Sequence, residues 1–439
     1  MRKNIITIFL ITFLYILTFF FFDNSDFEKF SPSLKKADFE DIVEKALDYE
    51  IKKVDEKQNL RVLKHYEKYY PQKFDYPKFY KKGKITLFIN NPLEYNSPSF
   101  STKALPCLIL KDKINSAKEY IDIAIYGFNN QDEIIQSLIS ASKRGVEIKS
   151  VFDSDEKGIT TYKDNLKLNN YSKITYDNSK SIMHNKFFVI DDNFLLTGSM
   201  NISNTGCGGY NANSVLIIED KDIIAAYKNE FEQMFDGKFK NKKKDFSYKK
   251  EENGRNLGVY FAPSGKVYEK IISKEIDNAK EKIKISVFVL SNFSIKDSLI
   301  SALKRNVDVK IILDATSAYK QRKIIEELRQ SGAKIKIENF GGKNHEKTIQ
   351  IDNDVLILGS ANLSYNAMTK NDENVIYIKD KDFAKFYSDY FEKLYASIND
   401  IYLSRYPKAE SLESQNSCFD KIDNNFNGKV DKDDVGCKI

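Results

Sequence analysis

The chain has 439 residues, of which 41% are hydrophobic and 30% are charged, with a net charge of +6. This composition excludes a disordered chain and a collagen-like fibre, and the length requires more than one domain. The small basic excess suits a polyanionic partner without requiring one. Four cysteines exclude a disulfide-dense miniprotein, and the absence of CxxC pairs together with only three histidines argues against a zinc or histidine-built metal centre.

An apolar run near the N-terminus follows two basic residues and extends from Ile5 to Phe22. Eighteen helical residues span roughly 27 Å, which is just enough to cross a bilayer core. A positive start before such a run is typical of a signal peptide or a signal anchor. Because no small-x-small cleavage site precedes Asp26, we expect an uncleaved anchor, with the rest of the chain outside the cytoplasm; a secreted protein is the alternative.

The following segment alternates charged and apolar residues at helical spacing from 38 to 60, which predicts a spacer helix. From Val62 to Lys84 lysines alternate with tyrosines and phenylalanines. Such side chains stack on single-stranded bases or lie at a lipid headgroup layer. A solvated strut that packs its aromatic rings on the domain is at least as well favoured.

The rest of the chain repeats itself. The sequence KRGVEIK at Lys143–Lys149 returns as KRNVDVK at Lys304–Lys310, and both copies run through apolar residues to an aspartate, Asp153 or Asp314. Strands alternating with helices predict a mostly parallel sheet covered on both faces and built twice. The segment that joins the halves, Gly237–Lys250, contains seven lysines. It is interpreted as a solvated linker, with nucleic-acid contact as the less favoured alternative.

Two of the three histidines lie in this repeat, and His345 follows His184 by 161 residues. Each begins the pattern HxKxxxxD, and each is followed by a GSxN sequence. The pattern residues are His184, Lys186, Asp191, Ser199 and Asn201 in the first half and His345, Lys347, Asp352, Ser360 and Asn362 in the second. The third histidine, His65, lacks this context, so we expect it to have a structural or surface role.

These residues resemble the HxKxxxxD motifs of the phospholipase D superfamily, and the resemblance extends from about Ile85 to Tyr395. It implies an α/β fold in which two α-β-α domains form one pseudo-twofold active site. One neutral imidazole attacks phosphorus, and the other protonates the departing oxygen and then activates water. Lysines and asparagines stabilise the equatorial oxygens, so catalysis needs no metal or other cofactor. The resemblance implies that Asp191 and Asp352 belong to the catalytic residues, where they orient and support the reacting groups. It also implies that Ser199, Asn201, Ser360, Asn362 and Glu373 bind the substrate phosphate or support the site.

One element departs from the family pattern. Residues 371–374 resemble the NxEN element, whose glutamate hydrogen-bonds an active-site histidine, whereas the first half has Asn211-Ala212-Asn213-Ser214. A carboxylate raises imidazole basicity more than an amide does. Family usage implies His184 as the nucleophile, whereas the surviving carboxylate, Glu373, favours a more basic His345. We favour His184, and the alternative stays open.

The second half lacks the LDxRS-like sequence that follows GSxN in bacterial cardiolipin synthases, and this favours hydrolysis over lipid synthesis. The motif specifies only a phosphodiester. Because the predicted anchor places the chain beside lipid, we expect a phospholipase D that acts as a monomer on phospholipid headgroups. A nuclease of the same superfamily acting on nucleic acid is the alternative, and a non-catalytic surface-binding protein is an alternative of another class.

The C-terminal tail resembles an EF-hand or dockerin-type calcium loop with glycine at its sixth position, Gly428. Its predicted ligands are Asp423, Asn425, Asn427, Lys429, Asp431 and Asp434. Cys418 and Cys437 bracket the loop closely enough to form a disulfide that closes it. Cys107 and Cys207 then remain, in one of three possible pairings of the four cysteines.

These features together predict a six-part chain. The parts are a signal anchor or signal peptide (1–23), a helical and basic-aromatic spacer (24–84), the first phospholipase D-like domain (85–236), a lysine-rich linker (237–256), the second such domain (257–397) and the calcium-loop tail (398–439).

Overall fold

The computed structural model describes residue 45 and residues 64–154, 162–252 and 254–438. The chain divides into two units, Met1–Lys68 with Ile439 and Tyr69–Lys438. In the first unit, the rings of His65 and Tyr66 meet edge to face with centroids 5.2 Å apart. The predicted anchor and all but residue 45 of the spacer helix lie outside the described residues. No helix within the described ranges is both long and apolar enough to cross a membrane.

The unit Tyr69–Lys438 contains two sheets of eight strands each, one in each half of the repeat. The strands of the first half are β1 Phe79–Lys82, β2 Ile85–Asn90, β3 Tyr120–Ile125, β4 Phe128–Asn129, β5 Glu147–Asp153, β6 Lys173–Asp177, β7 Lys186–Ile190, β8 Phe194–Gly198, β9 Ile202–Ser203 and β10 Asn213–Ile218. Those of the second half are β11 Tyr248–Glu252, β12 Arg255–Ala262, β13 Lys282–Val287, β14 Asp308–Leu313, β15 Lys334–Ile337, β16 Lys347–Ile351, β17 Val355–Gly359 and β18 Glu373–Lys379. The first sheet therefore begins with β1, before residue 85, and the second with β11, inside the segment interpreted as the linker.

The two sheets have the same topology, which confirms the prediction of two repeated α/β domains. Their orders are β1-β2-β10-β8-β7-β3-β5-β6 and β11-β12-β18-β17-β16-β13-β14-β15. The prediction of mostly parallel sheets is wrong. Within these two sheets only β3-β5-β6 and β13-β14-β15 pair in parallel, and the other neighbours are antiparallel. The short strands β4 and β9 form a separate parallel pair. The motif strands β7 and β16 each turn back through a short hairpin, which forces antiparallel pairing. Their unbroken apolar sequences resemble parallel strands because both faces of the sheet are covered.

Helices cover both faces of each sheet. They are α1 Leu105–Ser116, α2 Asp132–Lys143, α3 Lys221–Phe235, α4 Ser273–Asn278, α5 Phe293–Lys304, α6 Ala315–Ala318, α7 Arg322–Gln330, α8 Tyr365–Thr369 and α9 Lys381–Ser397. One core lies beneath α1 and α2 and another beneath α5 and α7. A third core joins the halves and includes side chains of both α3 and α9. The halves therefore share a continuous apolar interior, which fixes the ends of their strands relative to one another.

The central helices α3 and α9 begin in the same way. Asp220 precedes α3 and accepts hydrogen bonds from the backbone N–H groups two and three residues further on, and Asp380 does the same before α9. Such N-caps satisfy donors that have no partner within the helix. The caps fix where these two helices leave β10 and β18, the strands that begin at the site described below.

Aromatic residues of the basic-aromatic segment pack on α9. The Tyr76 ring lies 5.2 Å from that of Phe386 and 5.6 Å from that of Tyr390, and the Tyr80 ring stacks on Phe386 at 5.6 Å. The Phe74 ring also approaches Tyr390, at 6.2 Å. These rings therefore pack on the domain, which agrees with the predicted strut.

Two disulfides are present. One joins Cys107 in α1 to Cys207, and the other joins Cys418 to Cys437 around the tail loop. The first attaches α1 to the loop that follows the GSxN residues of the first half. The second closes the segment predicted to bind calcium.

Candidate active site

The two histidine motifs meet where the halves of the chain join. His184 precedes β7, and its backbone N–H donates to the Asp372 carbonyl of the second half at 2.8 Å. His345 precedes β16, and its N–H donates to the Ala212 carbonyl of the first half at 3.1 Å. Parallel bridges flank both contacts, pairing Met183 with Asp372 and Ala212 with Asn344. Each histidine loop is thus held by the opposite half, and the two loops form one composite site.

The histidine side chains are also held across the halves. The Nδ1 atom of His184 lies 2.8 Å from Oε2 of Glu373, and Nδ1 of His345 lies 3.2 Å from Oδ1 of Asn213. The interpretation in which Glu373 makes His345 more basic is therefore wrong, because the carboxylate contacts His184. The repeat shows which residues are equivalent. It does not show that Glu373 and Asn213 each contact the histidine of the opposite half.

The two motif serines bind these polar partners. The Ser360 hydroxyl donates to Oε2 of Glu373 at 2.6 Å, and the Ser199 hydroxyl donates to Oδ1 of Asn213 at 2.9 Å. Both serines thus hold the partners of the histidines, which agrees with a supporting role, and direct contact with the phosphate stays a prediction. The preceding glycines allow this approach, since a Cβ at Gly359 would lie 2.2 Å from the Asn374 carbonyl.

The motif lysines lie beneath the histidines. The ammonium of Lys186 donates to the His184 carbonyl at 2.8 Å, and that of Lys347 donates to the His345 carbonyl at 2.7 Å. Burial lowers the pKa of Lys186 to about 7, and burial together with Lys186 lowers the pKa of Lys347 well below its usual range. Two buried cations close to one another are costly, and a bound phosphodiester anion would relieve that repulsion.

Both imidazoles are neutral in the free site. Burial, followed by the positive charges of the two motif lysines, lowers the pKa of His184 and of His345 well below the usual value. Burial raises the pKa of Glu373 to about 8, although Lys186 and the Ser360 hydroxyl favour its ionised form. When Glu373 is ionised, it accepts the Nδ1–H of His184 and leaves Nε2 with a free lone pair. That tautomer is the one a nucleophilic imidazole requires.

An aromatic ring packs on each histidine. The Tyr126 ring lies 4.9 Å from that of His184, and the Phe288 ring lies 5.5 Å from that of His345. Each ring is also within 5.4 Å of a motif lysine, with Lys186 Nζ 5.3 Å from the Tyr126 centroid and Lys347 Nζ 5.4 Å from the Phe288 centroid. These rings narrow the site and hold the ammonium groups by cation–π attraction.

The motif asparagines lie beside these rings. A Cβ at Gly127, next to Tyr126, would be 2.6 Å from the Asn201 amide carbon. In the part of the chain that the structure describes, the buried Oδ1 atoms of Asn201 and Asn362 have no hydrogen-bond partner. Asn362 immediately precedes Leu363, whose N–H donates to the Val289 carbonyl, one residue beyond Phe288. Asn201 therefore lies against the residue that follows Tyr126, and contact of either amide with the phosphate stays a prediction.

The motif aspartates are not among the reacting groups. The Asp191 carboxylate accepts hydrogen bonds from the backbone N–H groups of Lys118, Glu119 and Tyr120 at 2.8 to 3.0 Å. The Asp352 carboxylate accepts those of Lys280, Glu281 and Lys282 in the same way. The strands β7 and β16, each about 16 Å long, lie between these aspartates and the histidines. Their classification as catalytic is therefore corrected to a structural role, since they join each hairpin to the start of β3 or β13.

Several residues that contact the site are not among the predicted ones. Asn213 stands in the sequence as a departure from the family pattern, although it is the partner of His345. Its position, 160 residues before Glu373, could have identified it as the equivalent residue. Tyr126 and Phe288 lie in equivalent strand ends, but aromatic residues there are also typical of a core. No local signal distinguishes the two possibilities.

The interpretation of the linker as solvated is wrong for two of its lysines. The Lys243 side chain is fully buried and contacts Glu230 and Asp372, with its ammonium 2.7 Å from the Asp372 carboxylate. The Lys240 ammonium lies 2.6 Å from Asp372 and also contacts Asp177. The carboxylates come from distant parts of the sequence, so composition alone could not reveal them.

The tail loop brings together only some of its predicted ligands. Asp434 accepts hydrogen bonds from the side-chain amides of Asn425 and Asn427, and Asp423 accepts those of the Asn427 and Gly428 backbone. The Asp431 carboxylate instead accepts the Lys421 backbone N–H, and the Lys429 N–H donates to the side chain of Asn427. Among the described residues, no group of three or more His, Cys, Asp or Glu side chains could hold a metal ion. Calcium binding therefore stays a prediction.

The tail also contacts the loop that carries His345. The Asn424 carbonyl accepts hydrogen bonds from the Lys343 ammonium and the Thr316 hydroxyl, both at 2.9 Å. The Tyr210 hydroxyl donates to the Asp420 carboxylate at 2.8 Å. The tail therefore lies against both halves of the chain, close in sequence to a catalytic histidine.

Comparison with known proteins gives consistent similarities. Residues 110–235 and 272–395 match the family described as "Cardiolipin synthase, PLD-like domain". A phospholipase D of Rickettsia typhi is 34% identical over 133 residues, which cover 30% of this chain and 65% of that protein. A cardiolipin synthase of Clostridium perfringens is 26% identical over 330 residues, covering 64% of this chain and 66% of that protein. A phosphatidylserine synthase of Haemophilus influenzae has a similar fold, with a TM-score of 0.58 at 13% identity over 74% of this chain and 90% of that one.

Proposed function

The chain belongs to the PLD-like domain family, and from this premise we propose that it is a phosphodiester hydrolase that cleaves phospholipid headgroups. The observation that carries the proposal is the crossed pairing of His184 with Glu373 and of His345 with Asn213. It gives one site two imidazoles in different environments, as a two-step displacement requires. Because the alignment spans 65% of the Rickettsia relative, activity and substrate are inferred from the site.

In the first step, Nε2 of His184 attacks phosphorus while Glu373 accepts the Nδ1–H and stabilises the developing positive charge. The new P–N bond replaces the P–O bond to the departing alcohol. His345, which takes up a proton when the phosphodiester anion binds beside it, donates this Nε2 proton to that oxygen. An imidazolium paired with an amide is a stronger acid than one paired with a carboxylate, so Asn213 suits His345 to this role. The crossed contacts thus favour His184 as the nucleophile, in agreement with family usage.

In the second step, His345 has lost its proton and accepts one from water. The water oxygen attacks phosphorus, the P–N bond breaks and His184 returns to its neutral form. Lys186 and Lys347 remain positively charged throughout and stabilise the equatorial phosphoryl oxygens. The phosphate monoester product leaves with the proton balance restored, because the proton given to the alcohol is replaced by one from water.

A parallel assay distinguishes the candidate functions. The purified chain would be tested on phosphatidylcholine, phosphatidylethanolamine, cardiolipin, and single- and double-stranded DNA. Release of headgroup alcohol and phosphatidate, absent in His184→Ala, is the expected result. Cleavage of DNA alone would establish the nuclease alternative, and the absence of any turnover with intact binding would establish the non-catalytic alternative.

We also propose that the tail binds calcium and that the apolar run Ile5–Phe22 anchors a monomeric enzyme facing outside the cytoplasm. The calcium proposal is supported by the spacing of oxygen side chains from Asp423 to Asp434 and by the positive φ of Gly428, +85°. The anchor is supported by its length and flanking charges. Membrane fractionation of the full chain and of a variant lacking residues 1–23, together with size-exclusion chromatography in detergent, tests attachment and oligomeric state.

A further inference from the structure

Two lysines of the connecting segment, Lys240 and Lys243, converge on one buried carboxylate, that of Asp372. Their ammonium groups lie 2.6 and 2.7 Å from different oxygens of this carboxylate. The backbone N–H of Lys240 donates to it as well, at 2.9 Å. Lys240 also contacts Asp177 in β6, and Lys243 contacts Glu230 in α3. These linker lysines therefore tie a carboxylate of the second half to two acidic residues of the first.

The carboxylate that they hold directly precedes Glu373. The backbone of Asp372 pairs with the loop of the first histidine, because its carbonyl accepts the His184 N–H at 2.8 Å and its N–H donates to the Ile182 carbonyl at 3.1 Å. The next residue then directs its carboxylate to Nδ1 of His184. A shift of Asp372 would therefore move both the backbone and the side-chain contacts of His184.

The arrangement exists on one side of the pseudo-twofold site. The residue equivalent to Asp372 in the first half is Ala212, which has no carboxylate. It directly precedes Asn213, the partner of His345. Ala212 makes the same backbone contact to its histidine, at 3.1 Å. The linker lysines thus add a fixed support only to the histidine that has a carboxylate partner.

We propose that Lys240 and Lys243 are positioning residues, which hold Asp372 so that Glu373 faces Nδ1 of His184. The linker is therefore part of the catalytic architecture as well as a covalent connection between the halves. This inference rests on the proposed function, in which His184 forms the covalent bond. It adds that the geometry of this histidine depends on two residues outside both motifs.

Buried charges decide which variants are useful. Burial disfavours the ammonium of Lys243, but Glu230 and Asp372 outweigh that effect and raise its pKa. Removing this side chain would leave the buried Glu230 carboxylate without its partner and Asp372 with Lys240 alone, which is severely destabilising. Lys240 has 15% of its side chain exposed and is the better site for substitution. Asp372→Asn is a second variant, because it preserves side-chain shape and leaves Lys243 paired with Glu230.

The test uses the full chain labelled with ¹⁵N in its histidines, which number only three. In Lys240→Met and in Asp372→Asn, the ring nitrogen signals of His184 should shift and its Nδ1–H should exchange faster. The signals and the exchange rate of His345 should stay unchanged. The rate of phosphohistidine formation should fall at least tenfold with KM changed less than twofold. Lys240→Arg should recover most of this rate. Lys242→Met is the matched control, since Lys242 is exposed in the same segment, and it should match the wild type.

Unchanged His184 signals and an unchanged rate in both folded variants would overturn the proposal, as would equal shifts at His184 and His345. The spectra require no turnover. If the wild-type chain proved inactive on every phosphodiester, the proposed function would fail, while the His184 signals would still decide whether the linker lysines position this ring.

Discussion

The His184 ring and the Glu373 carboxylate lie 2.8 Å apart, although 189 residues separate them in the chain. Their equivalents by repeat, His345 and Asn213, make the corresponding contact at 3.2 Å with an amide in place of the carboxylate. The repeat therefore produces symmetric geometry with asymmetric chemistry. That asymmetry gives the two histidines separate roles, since a carboxylate stabilises a positively charged ring and an amide leaves it more acidic.

The first prediction concerns which histidine forms the covalent bond. With a p-nitrophenyl phosphodiester, whose leaving group needs no proton, His345→Ala should release one burst of p-nitrophenolate and retain phosphate on His184. The intermediate should accumulate because its hydrolysis lacks the base. His184→Ala should give no burst. Rapid acid quenching followed by peptide mapping locates the label, and a label on His345 would reverse the assignment.

The second prediction concerns pH. As pH falls below about 8, Glu373 gains a proton, and as pH rises above about 7, Lys186 loses one. Both changes remove the active form, so kcat/KM should be bell-shaped with its maximum between these values. A bound phosphodiester anion favours charged lysine, so the alkaline limb of kcat should lie at higher pH than that of kcat/KM.

A matched pair of serine variants checks the contribution of Glu373 to this optimum. The Ser360 hydroxyl favours ionised Glu373, so Ser360→Ala should raise the carboxyl pKa further. The maximum of kcat/KM should then become lower and move to higher pH. Ser199→Ala removes the same contact to Asn213, which does not titrate, and should leave the pH of the maximum in place. Equal displacement by both variants would show that Glu373 does not control the optimum.

The third prediction tests the structural role of the motif aspartates. Asp191→Ala leaves three backbone N–H groups without their acceptor and should lower the free energy of unfolding by about 1–3 kcal/mol. The activity of the folded fraction should change less than threefold. Asp192→Ala is the neighbouring control, because its exposed carboxylate accepts only side-chain groups, the Lys228 ammonium and the Tyr120 hydroxyl, and its loss leaves no backbone N–H without an acceptor. Its ion pair contributes only about 0–1 kcal/mol. Urea unfolding and kcat would be measured together; a hundredfold loss of kcat at unchanged stability would return Asp191 to the catalytic groups.

The meeting of the two motifs can be predicted from the sequence because the spacing between motif residues is visible in the sequence itself. Every motif residue that follows His184 recurs after His345 at an offset of 161. Since each copy contributes half of an active site, the two copies must come together to complete it. Spacing does not show which half a side chain faces, and for this reason Glu373 was linked to the wrong histidine. That crossing is set by tertiary contacts, among them the bridges between Met183 and Asp372 and between Ala212 and Asn344.

Charge and hydropathy patterns do not predict burial or strand direction where these depend on residues that are distant in the sequence. Lys243 lies among exposed lysines in the sequence, yet Glu230 and Asp372 allow it to be buried. The apolar strand β7 has the composition of a parallel strand, although the hairpin at Asp191 makes it antiparallel. The same local sequence is compatible with an exposed or a buried lysine, and with a parallel or an antiparallel strand. In both cases contacts with distant residues decide which of the two forms.

The fourth prediction is that calcium stabilises the tail of the full chain without taking part in catalysis. Extracellular loops of this type have dissociation constants of about 10⁻⁴ to 10⁻³ M, so 10 mM calcium should add about 1.4 to 2.7 kcal/mol to the folded state. Asp423 already accepts the Asn427 and Gly428 N–H groups, so Asp423→Ala should abolish the stabilisation. Asp433→Ala removes the same charge at a non-ligand position and should preserve it. Thermal unfolding with and without calcium measures the effect.

Catalysis should be unaffected by a chelator, because the reacting groups are imidazoles, ammonium groups and amides. The tail nevertheless contacts Lys343, two residues before His345, through the Asn424 carbonyl. If Asp423→Ala alters only the melting temperature, the loop acts on stability alone. A change in kcat that calcium reverses in the wild type but not in Asp423→Ala would show that the loop acts through the Asn424–Lys343 contact. Inactivation of Asp423→Ala itself by a chelator would instead identify a catalytic metal elsewhere and contradict the metal-independent mechanism.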